Sequence, residues 1–245
     1  MPRGTRDRRN RRATDHEDPS TPNSPGTSNG NAEPFTPYYP VTLYVQGKRC
    51  VVIGGGEVAF RKAQALLQHG ALVEVISPGL CPELSRLAAT GAVRAVPREY
   101  RAGDLDGAFV AVAATDDAGT NSRVAAEATE RRVLVNVADT PALCSFIMPS
   151  CLRRGPVTVA VSTGGKSPAL ARRIRTELER SLTTEYGSLA SLVEQVRSEL
   201  KERGIVLPGE AWQRALDLDV LLEMLRQGRW DEAKERLLSK LERCE

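Results

Sequence analysis

The stretch Arg49–Ala59 reads RCVVIGGGEVA, and this stretch decides the fold. An apolar run leads into three glycines, and the following Glu57–His69 has the apolar spacing of a helix. In the pattern G-x-G-x-x-A, Gly54 permits a tight turn, Gly56 lets a pyrophosphate approach the backbone, and Ala59 packs the helix on the strand. The sequence therefore predicts a strand–turn–helix unit that binds a dinucleotide.

The predicted cofactor contacts extend beyond the glycines. A helix that starts directly after them offers free N–H groups to phosphate, so Glu57 and Val58 are expected to contact the cofactor. The next strand, LVEVIS, ends without the acidic residue that usually binds the adenosine ribose. The Ser77 hydroxyl and the backbone of Pro78 and Gly79 are expected to hold the adenosine instead. Because no arginine is adjacent to receive a 2′-phosphate, NAD is favoured over NADP.

Strands alternate with helices through the first half of the chain. The predicted strands are VTLYV (41–45), RCVVI (49–53), LVEVIS (72–77), VRAVPREY (93–100), FVAVAAT (109–115) and VLVNVAD (133–139). Such alternation is typical of a parallel α/β sheet with right-handed crossovers. A hairpin around Arg154-Gly155, a basic helix over Pro168–Leu182 and further helices follow. The predicted fold class is α/β: a Rossmann domain (37–148), a small β/α region (149–182) and a C-terminal helical domain (183–245).

Composition excludes several functional classes. The 245 residues are 41% hydrophobic and 27% charged, and a net charge of +3 is too small to indicate a nucleic-acid partner. No apolar run approaches the ~18 residues of a membrane span, and no secretory signal is visible, so we expect a cytoplasmic protein without a membrane partner. Segment 1–36 has six arginines between Arg3 and Arg12 and is predicted to be a disordered tail. A basic arm that binds acidic partners is the less favoured alternative.

Histidine and cysteine usage narrows the chemistry. The two histidines, His16 and His69, cannot build a Ser-His-Asp triad or a His-rich metal site. Five cysteines without CxxC spacing make a disulfide framework or a structural zinc site unexpected. We therefore predict no metal site, and we assign any acid–base chemistry to carboxylates, lysine, tyrosine, cysteine or a cofactor.

The segment Ala160–Ser167, AVSTGGKS, matches a relaxed phosphate-binding P-loop pattern. A P-loop requires its lysine and serine at the start of the following helix. Here Ser167-Pro168 has the form of an N-cap followed by proline at the first helical position, so the helix starts after the Lys-Ser pair. Nucleotide hydrolysis is therefore rejected.

Polar residues follow the two strands predicted beside the glycine turn. Asp139 ends VLVNVAD at the sheet edge where open α/β folds bind ligands, so it is the best candidate base. A structural turn, with the carboxylate accepting local N–H bonds, is equally compatible with the residues. Asn136, on the same strand, is predicted to position substrate or nicotinamide, with a structural hydrogen bond as the alternative. Thr115 is a candidate cofactor contact, and Asp116 or Asp117 is expected to cap the next helix.

Taken together, the motifs resemble the precorrin-2 dehydrogenase family of siroheme synthesis, whose members often double as sirohydrochlorin ferrochelatases. The resemblance covers roughly residues 37–200. It is carried by Tyr39-Pro40, VVIGGGEVAFRKAQALL, FVAVAATDDAGTN, VLVNVADTPALCSFIMPS and VAVSTGGKSPALARRIR.

The resemblance implies NAD-dependent oxidation of precorrin-2 to sirohydrochlorin, with Asp139 at the family's functional aspartate. Ferrochelation would be a second activity, with Fe²⁺ as substrate rather than structural metal. It also implies a homodimer in which region 149–182 is the dimerisation region. An NAD-sensing Rossmann module without turnover is the alternative, and turnover would distinguish the two.

A polycarboxylate substrate needs cations, and Arg153–Arg180 holds seven lysines and arginines against two acids. Arg172 and Arg175 share a helix face and are predicted to bind substrate carboxylates; a solvated helix face is the alternative. Ser145 and Met148–Ser150, in the crossover after the Rossmann unit, are expected to line the same cleft.

Overall fold

The computed structural model describes residues 38–243, so the predicted tail 1–36 lies outside the described residues. Five parallel strands form one sheet in the order β3-β2-β1-β4-β5. The strands are β1 (Arg49–Ile53), β2 (Leu72–Ile76), β3 (Arg94–Val96), β4 (Val110–Ala113) and β5 (Leu134–Val137). The crossover helices are α1 (Glu57–Leu67), α2 (Pro82–Ala89) and α3 (Ala118–Glu130). The predicted Rossmann-type α/β class is confirmed.

The central strand β1 is buried on both faces of the sheet. Cys50 and Val52 pack with α1 and α2 residues on one face, whereas Val51 and Ile53 pack with α3 residues on the other. In register, Val52 lies between Val75 of β2 and Val112 of β4. Apolar runs without polar alternation fit this double burial.

One predicted strand is absent and another is shorter than predicted. Residues 41–45 form no strand; Val41 and Tyr44 are exposed and only Val45 is buried. The β-branched residues of segment 41–45 give it β propensity, but no described strand pairs with it. Propensity alone does not make a sheet. Predicted strand 93–100 is reduced to Arg94–Val96 because Pro97 has no N–H group for the ladder.

A hairpin and five helices follow the sheet. A 3-10 turn (Pro141–Leu143) leads toward strands β6 (Ser150–Arg154) and β7 (Val157–Val161), which pair antiparallel. The helices are α4 (Pro168–Ser181), α5 (Glu185–Glu202), α6 (Gly209–Ala215), α7 (Leu218–Arg226) and α8 (Trp230–Glu242). The hairpin and the basic helix were both predicted. Helices α5–α8 pack around a separate apolar cluster that includes Leu192, Leu221 and Leu237.

Two glycines allow the hairpin to touch α5. Gly155, at the hairpin turn, has φ +55°, and a Cβ atom there would lie 3.3 Å from the Cα of Gly187. A Cβ atom on Gly187 would lie 2.9 Å from the carbonyl oxygen of Arg154. This backbone contact connects the hairpin to the helical part. None of the helices in residues 38–243 is both long and apolar enough to cross a membrane.

Candidate active site

Two cavities open beside the carboxyl ends of β1, β2, β4 and β5. The first, which we call the glycine-loop cavity, has a volume of about 800 Å³ and is bounded by residues 53–58, 76–81 and 114–117. The second, which we call the crossover cavity, has a volume of about 560 Å³ and is bounded by residues 136–141, 147–150 and the start of α4. Val58, in the first turn of α1, lines both cavities. The two spaces therefore adjoin across a single side chain.

The glycine loop has the shape that a dinucleotide requires. A Cβ atom on Gly54 (φ +120°) would lie 2.2 Å from the carbonyl oxygen of Ala114, and one on Gly55 would lie 1.8 Å from that of Gly79. A Cβ atom on Gly56 would meet nothing within 4 Å. No described side chain caps the N-terminus of α1, which begins directly after Gly56. Gly54 and Gly55 are thus required by the loop itself, whereas the space at Gly56 and the uncapped N–H groups suit a phosphate.

The segment after β2 closes the far end of this cavity. Ser77, Pro78 and Gly79 all line it, as the sequence predicts. The Ser77 hydroxyl, however, donates to the carbonyl oxygen of Gly79 at 2.7 Å. Its proton is therefore used inside the loop, and only its oxygen lone pairs remain for a ribose hydroxyl.

An arginine that the sequence argument missed reaches the same cavity. Arg123 of α3 lines it together with Glu99, and its guanidinium lies 5.8 Å from the centre of the Tyr100 ring. Arg123 also donates to the hydroxyl of Thr120 at 2.9 Å. The expectation that no arginine is close was drawn from chain neighbours only. The crossover fold brings Arg123 in from α3, which no local motif indicates.

The loop after β4 is fixed by local hydrogen bonds. Thr115 lines the glycine-loop cavity, but its hydroxyl donates to Asn121 Oδ1 at 2.9 Å. Asp117, rather than Asp116, is the N-cap of α3 and accepts from the N–H groups of Gly119 and Thr120. A hydrogen bond from the Thr120 hydroxyl, reinforced by these N–H groups, holds the pKa of Asp117 below its ordinary range. The two alternatives left open for this pair are thus resolved in favour of Asp117.

Asp139 lies in the turn after β5 with φ +55°, a conformation that aspartate tolerates better than most residues. It is exposed and lines the crossover cavity. Asp139 does lie in a turn, but within residues 38–243 its carboxylate accepts none of the local N–H bonds that the structural alternative requires. The carboxylate is available to a ligand in this cavity.

Asn136 is buried beneath the same cavity and is held at both ends of its amide. Its Oδ1 accepts from the ammonium of Lys62 at 3.2 Å, and its Nδ2 donates to the carbonyl oxygen of Phe146 at 3.2 Å. Lys62, on α1, also donates to Met148 Sδ at 3.1 Å. Burial lowers the pKa of Lys62. Sequence reasoning missed this lysine, although its position four residues after Val58 on one helix was a usable signal.

Two predicted substrate residues lie elsewhere. Ser145 does not line either cavity; its hydroxyl oxygen accepts from the N–H of Val135 at 2.8 Å and thus bonds to the free edge of β5. Arg175 forms an ion pair with Glu179, one turn along α4. Arg172 does line the crossover cavity. The i,i+3 spacing placed both arginines on one helix face, but it could not show that Arg175 forms an ion pair with Glu179.

The local geometry around Ser167 also argues against a P-loop. Ala160 belongs to β7, and the Ser167 hydroxyl accepts from the N–H of Leu170 at 3.2 Å as the N-cap of α4. Pro168 is the first residue of that helix. The helix therefore begins after the Lys-Ser pair, as predicted. In residues 38–243, no three His, Cys, Asp or Glu side chains form a group that could hold a metal ion.

Two known protein families match parts of this chain, and two siroheme synthases are similar to it. Residues 41–150 match the family NAD_binding_7, described as NAD(P)-binding, and residues 154–181 match the family described as Sirohaem biosynthesis protein central. The siroheme synthases of Thioalkalivibrio sulfidiphilus and Nitrosococcus oceani are 44% and 40% identical over 84% of this chain. The chain spans only 42% and 44% of those two proteins.

A solved structure of SirC, a precorrin-2 dehydrogenase, matches 84% of this chain and 100% of its own chain, with a TM-score of 0.62 and 25% identity. The glycine loop and Asp139 fall within the NAD(P)-binding match, and α4 falls within the sirohaem match. The resemblance stated from the sequence is confirmed: the chain is similar to siroheme synthases and to a precorrin-2 dehydrogenase.

Proposed function

We propose that this chain oxidises precorrin-2 to sirohydrochlorin with NAD as the hydride acceptor. The observation that carries the proposal is the pair of adjoining cavities that share Val58. One is bounded by a loop that suits a dinucleotide, and the other contains cations and the carboxylate of Asp139. The similarity to siroheme synthases and to a precorrin-2 dehydrogenase supports the same chemistry.

The glycine-loop cavity would hold the dinucleotide. Gly56, Glu57 and Val58 at the start of α1 would surround the pyrophosphate, and Ser77–Gly79 would face the adenosine. Thr115 would border the cofactor from the end of β4. When bound, NAD supplies the electrophilic ring that accepts a hydride, whereas the protein supplies binding and orientation.

NAD rather than NADP is the proposed cofactor. The exposed carboxylate of Glu99 lines the glycine-loop cavity, where it would repel a 2′-phosphate. Arg123 lines the same cavity, but its guanidinium is already held by Thr120 and by the face of the Tyr100 ring. Comparing kcat/KM for the two cofactors tests the preference.

Precorrin-2 is a tetrapyrrole with many carboxylates, and its oxidation releases a hydride and a proton. Arg61 and Arg172 line the crossover cavity and suit carboxylates, which guanidinium groups bind in pairs of hydrogen bonds. Asp139 is the proposed proton acceptor because its carboxylate lines the cavity without a hydrogen-bond donor among residues 38–243. In a second reaction, Fe²⁺ would be a substrate; two pyrrole protons leave as the metal enters, of which Asp139 would accept one and solvent the other.

A homodimer is part of the proposal. Three apolar residues on α4 at i, i+4 and i+8, namely Leu170, Ile174 and Leu178, are 51%, 39% and 38% exposed. They form one apolar stripe on a helix of the proposed dimerisation region 149–182, and a second copy of the chain would cover it. The division into segments 37–148, 149–182 and 183–245, and a cytoplasmic location, likewise stay predictions.

Anaerobic incubation with precorrin-2 and NAD tests the function. We expect absorbance at 340 nm from NADH to rise together with the visible spectrum of sirohydrochlorin. Ferrous iron added afterwards then tests chelation separately. Binding of NAD without any NADH formation would instead favour the NAD-sensing module.

A further inference from the structure

Lys62 carries a half-buried ammonium on which Asp139 acts electrostatically without forming an ion pair within residues 38–243. It lies in the second turn of α1, and its two recorded acceptors, Asn136 Oδ1 and Met148 Sδ, are both neutral. No carboxylate of residues 38–243 forms an ion pair with it. Partial burial of an unpaired charge is unfavourable, so such a charge is unusual unless it serves a ligand.

A purely structural role would not require this charge. Asn136 needs only one hydrogen-bond donor at Oδ1, and a neutral amide could supply it without the cost of burying an ammonium. The thioether sulfur of Met148 is a weak acceptor and leaves much of the ammonium's capacity unused. The two direct hydrogen bonds of Lys62 therefore do not by themselves account for its charge.

The surroundings of Lys62 favour an anion. It lines the crossover cavity with Arg61 from its own helix, Arg172 from α4, and Cys144 and Asp139 from the segment after β5. Burial is the largest cause of its lowered pKa, and Arg61 lowers the pKa further, whereas Cys144 and Asp139 raise it. The attraction of a bound carboxylate would offset the cost of desolvating the ammonium.

The position of Lys62 relative to the glycine-loop cavity indicates what a bound anion would do. Val58 lies one helical turn before Lys62 and lines both cavities. A group bound at Lys62 is therefore fixed relative to the dinucleotide that α1 would bind at its N-terminus. Both contacts come from one rigid helix.

We infer that Lys62 binds a carboxylate of the tetrapyrrole and sets the register of the ring against the dinucleotide. This inference rests on the proposed function. It makes Lys62 a specificity-determining residue, with Asn136 as the group that positions its ammonium. Arg61 and Arg172 would then bind other carboxylates of the same macrocycle.

The test is binding of sirohydrochlorin without NAD, followed by the fluorescence anisotropy of the pigment. Lys62→Gln retains a donor for Asn136 and loses the charge, Lys62→Arg retains the charge, and Lys201→Met removes an equal charge from the exposed surface of α5. We expect Lys62→Gln to weaken binding roughly tenfold or more, the scale of a lost charge-assisted hydrogen bond. Lys62→Arg should recover part of that loss, and Lys201→Met should bind like wild type.

NAD affinity and melting temperature, measured on the same proteins, should change little, and Lys62→Gln should raise KM for precorrin-2. Wild-type sirohydrochlorin affinity and KM in Lys62→Gln would overturn the inference and leave the proposed function intact. A loss of pigment binding that is matched by unfolding, or that Lys62→Arg does not recover at all, would make Lys62 structural and also overturn it. Failure of the wild-type protein to bind sirohydrochlorin would overturn this inference, whereas the proposed function is overturned only if precorrin-2 and NAD yield no NADH.

Discussion

Two adjacent glycines of the loop after β1 differ in their tolerance for a side chain. A Cβ atom on Gly55 would collide with the carbonyl oxygen of Gly79, whereas one on Gly56 would enter open space. Substitution at Gly56 therefore separates cofactor binding from folding, because the side chain would occupy the ligand's place without disturbing the loop.

The first prediction concerns this pair. Gly56→Asp should fold normally and bind NAD at least tenfold more weakly, because its carboxylate would meet the pyrophosphate. Gly55→Ala should instead lower the melting temperature, since its methyl group has no room. Calorimetric titration with NAD and thermal unfolding of both variants provide the check. An unchanged NAD affinity in Gly56→Asp would refute the cofactor assignment.

The second prediction concerns Asp139. Asp139→Asn retains size and loses the base, so kcat for precorrin-2 oxidation should fall by roughly 10²-fold or more. NAD binding should be nearly unchanged, because Asp139 lines the crossover cavity rather than the glycine-loop cavity. Steady-state kinetics and NAD titration measure the two effects. Oxidation at the wild-type rate would show that another group or solvent accepts the proton.

Iron insertion by Asp139→Asn is a separate readout. If the variant no longer oxidises precorrin-2 but still inserts iron into supplied sirohydrochlorin, then the two reactions do not share this carboxylate. Loss of both would support one shared proton acceptor.

Among the helices and strands, the N-terminus of α3 is the one whose contribution to stability is most easily tested. Asp117 accepts from the Thr120 hydroxyl and from the N–H groups of Thr120 and Gly119, and these donors favour its charged form. Because its folded-state pKa is lowered from the ordinary value of 3.8, its contribution is fully present above that value. The contribution is lost as the pH falls through the lowered pKa.

The third prediction follows. Asp117→Ala should lower the melting temperature at pH 7 by roughly 2–4 °C, the usual consequence of losing an N-cap in a chain of this size. Asp117→Ser should retain most of the stability because a hydroxyl also caps. Thermal unfolding at pH 7 and near pH 3 is the measurement. The difference between wild type and Asp117→Ala should shrink at the lower pH; a constant difference would contradict a role for the carboxylate.

Elements were predicted from sequence best where apolar pattern and glycine chemistry agree. The RCVVIGGG stretch gave both signals, and β1 and α1 lie where it indicates. VTLYV carried strand propensity alone and pairs with nothing in the described chain.

The hydrogen-bond and ion-pair partners of a side chain are harder to predict, since they depend on groups distant in sequence. Ser145 bonds to β5 and Arg175 pairs with Glu179, whereas Lys62 and Arg123 reach the cavities from helix positions outside the glycine pattern. Asp139 could be identified because strand ends meet at one edge of a parallel sheet.

At the scale of the whole molecule, the apolar stripe on α4 is the feature that most needs a partner. It consists of Leu170, Ile174 and Leu178, all partly exposed. In the proposed homodimer, the stripe becomes buried and helps to hold two sets of cavities in one particle.

The fourth prediction tests this surface. Ile174→Glu should convert the dimer to a monomer of 26.6 kDa, because a charge buried in an apolar interface lacks compensation. Val206→Glu, at an apolar residue that is 89% exposed outside the stripe, is the matched control and should remain dimeric. Sedimentation velocity distinguishes the two masses. A dimeric Ile174→Glu protein would show that α4 is not the interface.

The proposed function requires hydride transfer between the two adjoining cavities. Single-turnover stoichiometry tests that claim most directly: enzyme in excess is mixed anaerobically with precorrin-2 and NAD, and both products are quantified from one spectrum. We expect one NADH for each sirohydrochlorin formed, with both appearing at the same rate, and slower formation of both by Gly56→Asp at the same NAD concentration. Sirohydrochlorin formed without NADH, or no oxidation by a protein that binds both ligands, would contradict it.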